Sequence, residues 1–595
     1  MVFDSRNDMC KNPVGAIPAG QSIHLKIRVP RYLECSCAVL CIRHDTEKNE
    51  RRFGMFWCGM DGDDNEWWEA DYSDTQKGIY WYRFEIVTNQ GTLTITKGKK
   101  GFGTIGHGGA AWQQTVYEKT LSPSVLQGGI MYQIFPDRFC GSGKPKSGVP
   151  DDRIIHESTD EDVEWRFNGN GKITNNDYYG GDLEGIRLKL PYLKQLNVTC
   201  IYLNPIFEAH SNHRYNTADY GKIDPLLGTE EDFVRLCADA KKHKIKIILD
   251  GVFSHTGDDS LYFNKNRRYE TDGAYNSPDS PYYRWYTFEN HPWQYSSWWG
   301  FETLPEVNEL DRGFLDFICS ENGIVRKWLR LGADGWRLDV ADELPDKFIE
   351  GLYAAAKEEN PEAVVLGEVW EDATSKESYG QRRSFLLGGQ MDSVMNYPFR
   401  DAVLLFASEK SEECSEIIES ILENYPPHVI NSLMNHIGTH DTERILTVIS
   451  GAAREGRRRE WQAGQRLDDG QLSHGIRLLK LCSLLQYTLP GVPCVYYGDE
   501  VGAQGYLDPF NRRFYPWGSE NKELLEHYKM LGKLRGNPVF SDGHYQTLCA
   551  ENGLLVFKRY KEKTCVTIYL NSSNETKKYG GKDIPPLESF VNEAK

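Results

Sequence analysis

Gly335-Trp336-Arg337-Leu338-Asp339-Val340-Ala341-Asp342-Glu343 ends a short apolar run with an arginine and a carboxylate two residues apart. Side chains at that spacing on a strand share a face, so Arg337 and Asp339 point into one site. A guanidinium beside a carboxyl group lowers its pKa, and the rigid donor fork holds the oxygens. Asp339 is therefore expected to be an ionised, fixed nucleophile. An isolated Arg-x-Asp is usually a surface pair of little consequence, but three further segments share the design. Pro361-Glu362-Ala363-Val364-Val365-Leu366-Gly367-Glu368-Val369-Trp370 is a continuous apolar run, of the kind a buried parallel strand shows, ending in Glu368. Ile245-Lys246-Ile247-Ile248-Leu249-Asp250 leads through a turn to His255, and Met434-Asn435-His436-Ile437-Gly438-Thr439 leads to His440 and Asp441.

Around these four segments, strand-like and helix-like stretches alternate from residue 128 onward, the pattern of parallel strands joined by helices. The strands are expected at 130–135, 198–203, 245–250, 334–339, 363–368, 391–395, 432–436 and 492–497. Eight such strands predict a (β/α)8 barrel, whose active sites lie at the carboxyl ends of the strands, and the polar groups above fall there. Short alternating stretches such as Ser22-Ile23-His24-Leu25-Lys26-Ile27-Arg28-Val29 predict an N-terminal β-sandwich over 1–123. The catalytic barrel is expected over 124–535, with an inserted subdomain after the third strand at 256–308, rich in Tyr, Trp, Asn and Pro. A small C-terminal antiparallel β domain is expected over 536–595. The glycine-rich 98–109 lacks the Gly-Lys-Ser/Thr ending of a phosphate loop and is expected to be a flexible loop near the domain junction.

Asp250 with His255, Arg337 with Asp339, Glu368, and His440 with Asp441 resemble, in order and local sequence, the signature regions of the alpha-amylase family, glycoside hydrolase family 13. Residues 132–139, 212–220 and 490–500 extend the resemblance over most of the chain. Within the family the chain is similar to the cyclomaltodextrinase, neopullulanase and maltogenic amylase group. The resemblance implies hydrolysis of α-glucosidic bonds with retention, with Asp339 as nucleophile, Glu368 as general acid and then base, and Asp441 holding sugar hydroxyls. Such a reaction needs an acid for the leaving oxygen and, for retention, carboxyl groups about 5–5.5 Å apart. Tyr215 is expected to stack under the sugar at the cleaved position. His255 and His440 would bond its hydroxyls or the carboxylates, and Glu343 would serve the acceptor side. Asp250, Arg337, Trp370 and Arg444 complete the expected substrate-binding set.

The chain departs from the group at Glu306, where Lys is usual in Met-Pro-Lys-Leu-Asn, and at Asn216, Asp342 and Glu371, where Asp, Asn and His are common. Several similar enzymes hold calcium in the loop after the first strand. Here Cys140-Gly141-Ser142-Gly143-Lys144-Pro145-Lys146-Ser147 has two lysines where Asn and Asp would serve a hard cation. No metal is expected there, and no organic cofactor is required. The expected substrates are maltodextrin, cyclodextrin or pullulan. An alpha-glucosidase or ordinary alpha-amylase, and from another class a glucan branching or transfer enzyme, use the same acids and remain as alternatives. A family relative that has lost catalysis would be expected to lack part of the acid trio, and all three acids are present.

With 595 residues the chain is long enough for several cores. A formal charge of −17 argues against nucleic acid, which needs clustered Lys and Arg, and suits a neutral sugar. The 15 Trp and 33 Tyr are compatible with sugar stacking, with Trp57, Trp67, Trp68 and Trp81 as platforms or dimer contacts in the sandwich. By resemblance that domain implies a homodimer in which it crosses the partner's cleft. Residues 1–8 lack the basic stretch and apolar core by which a secretory signal is read, and there is no run of about 18 apolar residues for a membrane span. Fourteen scattered cysteines suit a reducing cytoplasm.

Overall fold

Eight short apolar runs form the parallel sheet that the alternation predicts: β1 (Met131–Ile134), β2 (Cys200–Leu203), β3 (Lys246–Gly251), β4 (Gly335–Leu338), β5 (Val364–Gly367), β6 (Ser393–Val394), β7 (Met434–His436) and β8 (Val492–Tyr496). In this computed structural model, residues 2–120, 123–124, 126–167 and 173–594 are described. The strand order is β6-β5-β4-β3-β2-β1-β8-β7, and a parallel bridge from Met395 to Met434 brings β6 back to β7, so the sheet closes as a (β/α)8 barrel. Nearly every strand residue is buried, which is why the runs are apolar throughout rather than alternating. Met131, Cys200, Tyr202, Ile248, Val364, Leu366, Met434, Val492 and Cys494 belong to one buried cluster.

The chain's contacts divide it into two units. The first gathers Met1–Ser122 with Asp372–Gln390 and Glu416–Ile430. Its strands form a four-stranded and a seven-stranded sheet, and Ser22–Pro30 buries every second residue, as a sandwich strand must. The two later segments lie within the stretch that the sequence assigns to the barrel. They are held by specific polar contacts: Arg6 pairs with Glu416 at 2.7 Å and with the buried Glu423 at 3.0 Å, and Gln113 donates to Thr374 at 2.8 Å. The glycine-rich stretch corrects the expectation of a loop. Gly103–Gly106 is a strand antiparallel to 94–97, and a Cβ on Gly109 would lie 2.1 Å from Thr96 Oγ1. Glycine is used there for close backbone approach.

The second unit comprises Pro123–Glu371, Met391–Ser415 and Asn431–Lys595. Between β3 and the helix Arg312–Cys319 the chain makes its long excursion, with only a two-stranded pairing of Phe288–Asn290 with Gln294–Tyr295 and two 3₁₀ turns. Rings replace regular structure there. Phe263, for example, stacks on Phe288 at 5.9 Å and meets Tyr286 and Tyr295 at 4.9 and 4.8 Å. A four-stranded antiparallel sheet from His544 to Ala594 ends the chain. Among the described residues no helix is long and apolar enough to cross a membrane.

Candidate active site

Asp339 and Glu368 each stand one residue beyond a strand, β4 and β5, and the ladder still holds their backbones: Asp339 N–H donates to Gly251 O at 3.1 Å and Glu368 N–H to Leu338 O at 3.0 Å. Their backbones are thus tied into the barrel sheet. Arg337, wholly buried on β4, reaches Asp339 Oδ1 at 2.6 Å through Nη1 and Glu368 Oε2 at 2.7 Å through Nη2. One guanidinium bridging two carboxylates keeps them close, as double displacement requires. Asp250 at the end of β3 is its third partner, 2.8 Å from Nη1, and also accepts from the hydroxyls of Tyr202 at 2.5 Å and Tyr215 at 2.8 Å.

After Asp339 the chain turns through Val340 at φ +38°. A β-branched residue in that region is strained. The turn aims Val340 N–H at Glu368 Oε2, 2.9 Å away. Trp370 donates its indole N–H to the other oxygen of Glu368 at 3.0 Å and stacks on Tyr397 with centroids 4.0 Å apart. Both oxygens of Glu368 are therefore held by donors, Oε1 by the indole N–H and Oε2 by Val340 N–H beside the Arg337 guanidinium.

On the β7 side, Gln133 Nε2 donates to His440 Nδ1 at 2.8 Å and to Asn204 Oδ1 at 3.1 Å. That leaves the His440 proton on Nε2, which faces Tyr215 Oη at 2.5 Å and Asp441 Oδ2 at 3.1 Å. Burial holds the His440 pKa well below its usual value, so a neutral ring donates. The ring lies parallel to Tyr215 at 5.2 Å. Arg512 approaches Asp441 Oδ1 at 3.6 Å and pairs with Asp508 at 3.0 Å. His255 is occupied by protein, its Nε2 by Tyr215 O at 3.1 Å and its Nδ1 by Ser254 Oγ at 3.0 Å, so it positions Tyr215.

Besides His255, expected to bond sugar hydroxyls or the carboxylates and found bonded to Tyr215 and Ser254 instead, two expectations from the sequence need correction. Arg444, expected to touch substrate, is enclosed: its Nε donates to Asn511 O at 2.8 Å, Nη1 pairs with Asp499 at 3.0 Å and bonds Tyr497 O, and the guanidinium lies over Tyr496 at 4.0 Å. It holds the loop after β8. Asp339 is not simply kept ionised by Arg337. Burial pushes its pKa well above the ordinary range, Arg337 opposes that, and Glu368 and Asp250 add to the rise. Asp441 is pushed up to about 7, first by desolvation and then by Glu368.

Glu343 lies farther along, where its Oε2 and Oε1 accept from Trp298 Nε1 at 2.6 Å and Trp299 Nε1 at 2.7 Å. Trp298 tilts against His255 at 5.2 Å, while Trp299 is 77% exposed. Sequence reasoning missed these two indoles, along with Arg512, Asp508, Gln133 and Asn204. Position at a strand end could have found Gln133 and Asn204. Nothing in the local sequence joins Trp299 to a carboxylate 44 residues away.

Residues 133–533 match the model of the alpha-amylase catalytic domain. Over 613 aligned positions the chain is 35% identical to an amylopullulanase of Thermoanaerobacter thermohydrosulfuricus, covering 93% of this chain and 40% of that protein. It is 34% identical to a cyclomaltodextrinase of Geobacillus thermopakistaniensis, covering 76% of this chain and 70% of the relative. The chain thus spans less than half the length of the amylopullulanases it matches. Among solved structures, the type III pullulan hydrolase of Thermococcus kodakarensis superimposes with a TM-score of 0.67 at 25% identity, over 99% of both chains. The barrel, the bridged carboxylates at its strand ends and these matches agree, and the chain belongs to the alpha-amylase family, glycoside hydrolase family 13.

Proposed function

We propose that the chain is a retaining glycosidase that cleaves α-1,4, and also α-1,6, glucosidic bonds in cyclodextrins, maltooligosaccharides and pullulan. The observation that carries this reading is Arg337 bridging Asp339 and Glu368, with Asp441 across the site beside His440. Glu368 gives its proton to the glycosidic oxygen while Asp339 attacks the anomeric carbon. That carbon–oxygen bond breaks and an ester to Asp339 forms. Glu368 then takes a proton from water, whose oxygen displaces Asp339 and restores the original configuration. A sugar hydroxyl in place of that water gives transglycosylation. Asp441, Tyr215 and His440 hold the sugar ring and its hydroxyls. Glu343 presents the exposed Trp299 to the acceptor sugar.

The names of the relatives, cyclomaltodextrinase, neopullulanase and maltogenic alpha-amylase, support small or cyclic maltodextrins over starch. A homodimer formed through the N-terminal sandwich is supported by the edge strand Phe56–Asp61, which exposes Phe56, Trp57 and Met60. All 14 cysteines are unpaired, which supports a reducing, cytoplasmic setting. The test is a product time course from β-cyclodextrin, pullulan and soluble starch at equal mass. Rapid ring opening to maltose and glucose, with panose from pullulan and slow attack on starch, is expected. Starch cut fastest would overturn the preference and indicate an ordinary alpha-amylase.

The charges give a pH dependence. Asp441 is pushed up to about 7, by burial and then by the charge of Glu368. Below that pH it is protonated and loses an acceptor for the sugar hydroxyls it holds; above it both carboxylate oxygens accept. The kcat/KM profile on maltotriose is therefore expected to rise with pH through an acid-side midpoint near neutrality. A profile flat from about pH 5 to 8 would contradict it.

A further inference from the structure

The resemblance to similar enzymes brings with it a calcium site in the loop after β1, and the donors present here can be tested for it. Calcium takes six to eight oxygen ligands from carboxylates, carbonyls and water. The acids that face the two lysines of this loop are Asp182, at its end, and Glu184, in the helix that follows, both buried. Asp182 caps the helix Leu183–Leu188: its Oδ1 accepts from Gly185 N at 2.6 Å and Ser142 N at 3.2 Å. Its Oδ2 accepts from Ser142 Oγ at 2.6 Å and from Lys146 Nζ at 2.6 Å. Glu184 Oε1 accepts from Lys144 Nζ at 2.8 Å and Arg187 Nη2 at 3.0 Å, and Oε2 from Arg187 Nε at 2.7 Å. Arg187 and then Lys144 hold the Glu184 pKa down at about 2.

Every carboxylate oxygen of the pair is thus committed, and each acid faces an ammonium group where a divalent ion would have to stand. At two glycines the backbone is closely packed. A Cβ on Gly141 would lie 2.6 Å from Gly180 O, and one on Gly185 would lie 2.0 Å from Cys140 O. These residues do not fit calcium.

We infer that Lys146, assisted by Lys144, is a built-in counter-cation: the chain supplies from its own side chains the positive charge that orders this loop, and the fold here is independent of divalent metal. The two lysines contribute unequally. The Lys144 side chain is 58% exposed and its pair is of the surface kind, worth little, whereas Lys146 is 19% exposed against an acid that is 1% exposed. Removing the ammonium of Lys146 leaves a buried carboxylate uncompensated, the costly way to break such a pair.

The experiment is thermal unfolding of the full chain. The Tm is expected to be unchanged in excess EDTA and in millimolar calcium. Lys146→Met is expected to lower it by several degrees and Lys146→Arg to preserve it, because charge rather than packing does the ordering. If Lys146→Met does not fold, Lys144→Met, with a smaller loss, replaces it. Asp182→Asn/Lys146→Met, which removes both charges and keeps a capping side chain, is expected to recover part of the loss. A fall in Tm with EDTA that calcium reverses would overturn the inference. So would a Lys146→Met protein as stable as the wild type, or a double variant that loses the sum of the single losses.

Discussion

Asp339→Asn is expected to lower kcat/KM on β-cyclodextrin by about 10⁴-fold or more, since it removes the group proposed to form the covalent intermediate. The substitution keeps the shape of the side chain, and an amide oxygen can still accept from Arg337 Nη1, which stands 2.6 Å from Asp339 Oδ1. The barrel and the sugar site should therefore survive, and KM or inhibitor affinity should change far less than kcat. A companion variant, Asp339→Ala, separates nucleophile from bystander. It opens space on that face of the sugar for azide, which attacks the anomeric carbon while Glu368 still protonates the leaving oxygen. The product is then a glycosyl azide of inverted, β configuration. Detection of that product by chromatography and NMR would place Asp339 on the attacking face. Near-wild-type turnover in Asp339→Asn would remove it from the mechanism.

How much of this arrangement was open to sequence reasoning depends on whether a feature is local. The strands are legible because a parallel strand covered on both faces must be apolar at every position, and β4 and β5 are buried throughout. The acids are legible because a polar residue that breaks such a run stands at its carboxyl end. What the side chain does next is set by distant partners. Arg444 follows Asp441 by three positions, yet the loop after β8 brings Asp499 and two carbonyls to it and takes it out of the cleft. The Arg337–Asp339 pair is local, but the burial and the carboxylates of Glu368 and Asp250 that raise Asp339 arrive from other strands. Val340 has an ordinary side chain for a strand end. Its positive φ appears only when its N–H is seen to serve Glu368. Likewise, 372–390 and 416–430 follow strands in the barrel pattern, and only contacts such as Arg6 with Glu423 assign them to the N-terminal unit.

The second large effect is at Glu368, and it should depend on the leaving group. Glu368→Gln cannot protonate the glycosidic oxygen, so opening of β-cyclodextrin is expected to fall by about 10²–10⁴-fold. An α-maltosyl fluoride needs no proton to expel fluoride, and its first step should keep most of its rate. The second step still needs a base for water, which Gln does not supply. The fluoride should therefore give a burst of one equivalent per site, followed by slow turnover, with the maltosyl ester accumulating on Asp339 and visible as a mass increase of the intact chain. The amide keeps most supports of the site, because its oxygen can take the place of Oε2, where Val340 N stands at 2.9 Å and Arg337 Nη2 at 2.7 Å, and only the Trp370 N–H, 3.0 Å from the other oxygen, loses its acceptor. A variant equally slow on both substrates, with no burst, would show that the loss comes from a disordered site. Only loss confined to the poor leaving group and to the hydrolysis of the ester assigns Glu368 both halves of the acid–base role.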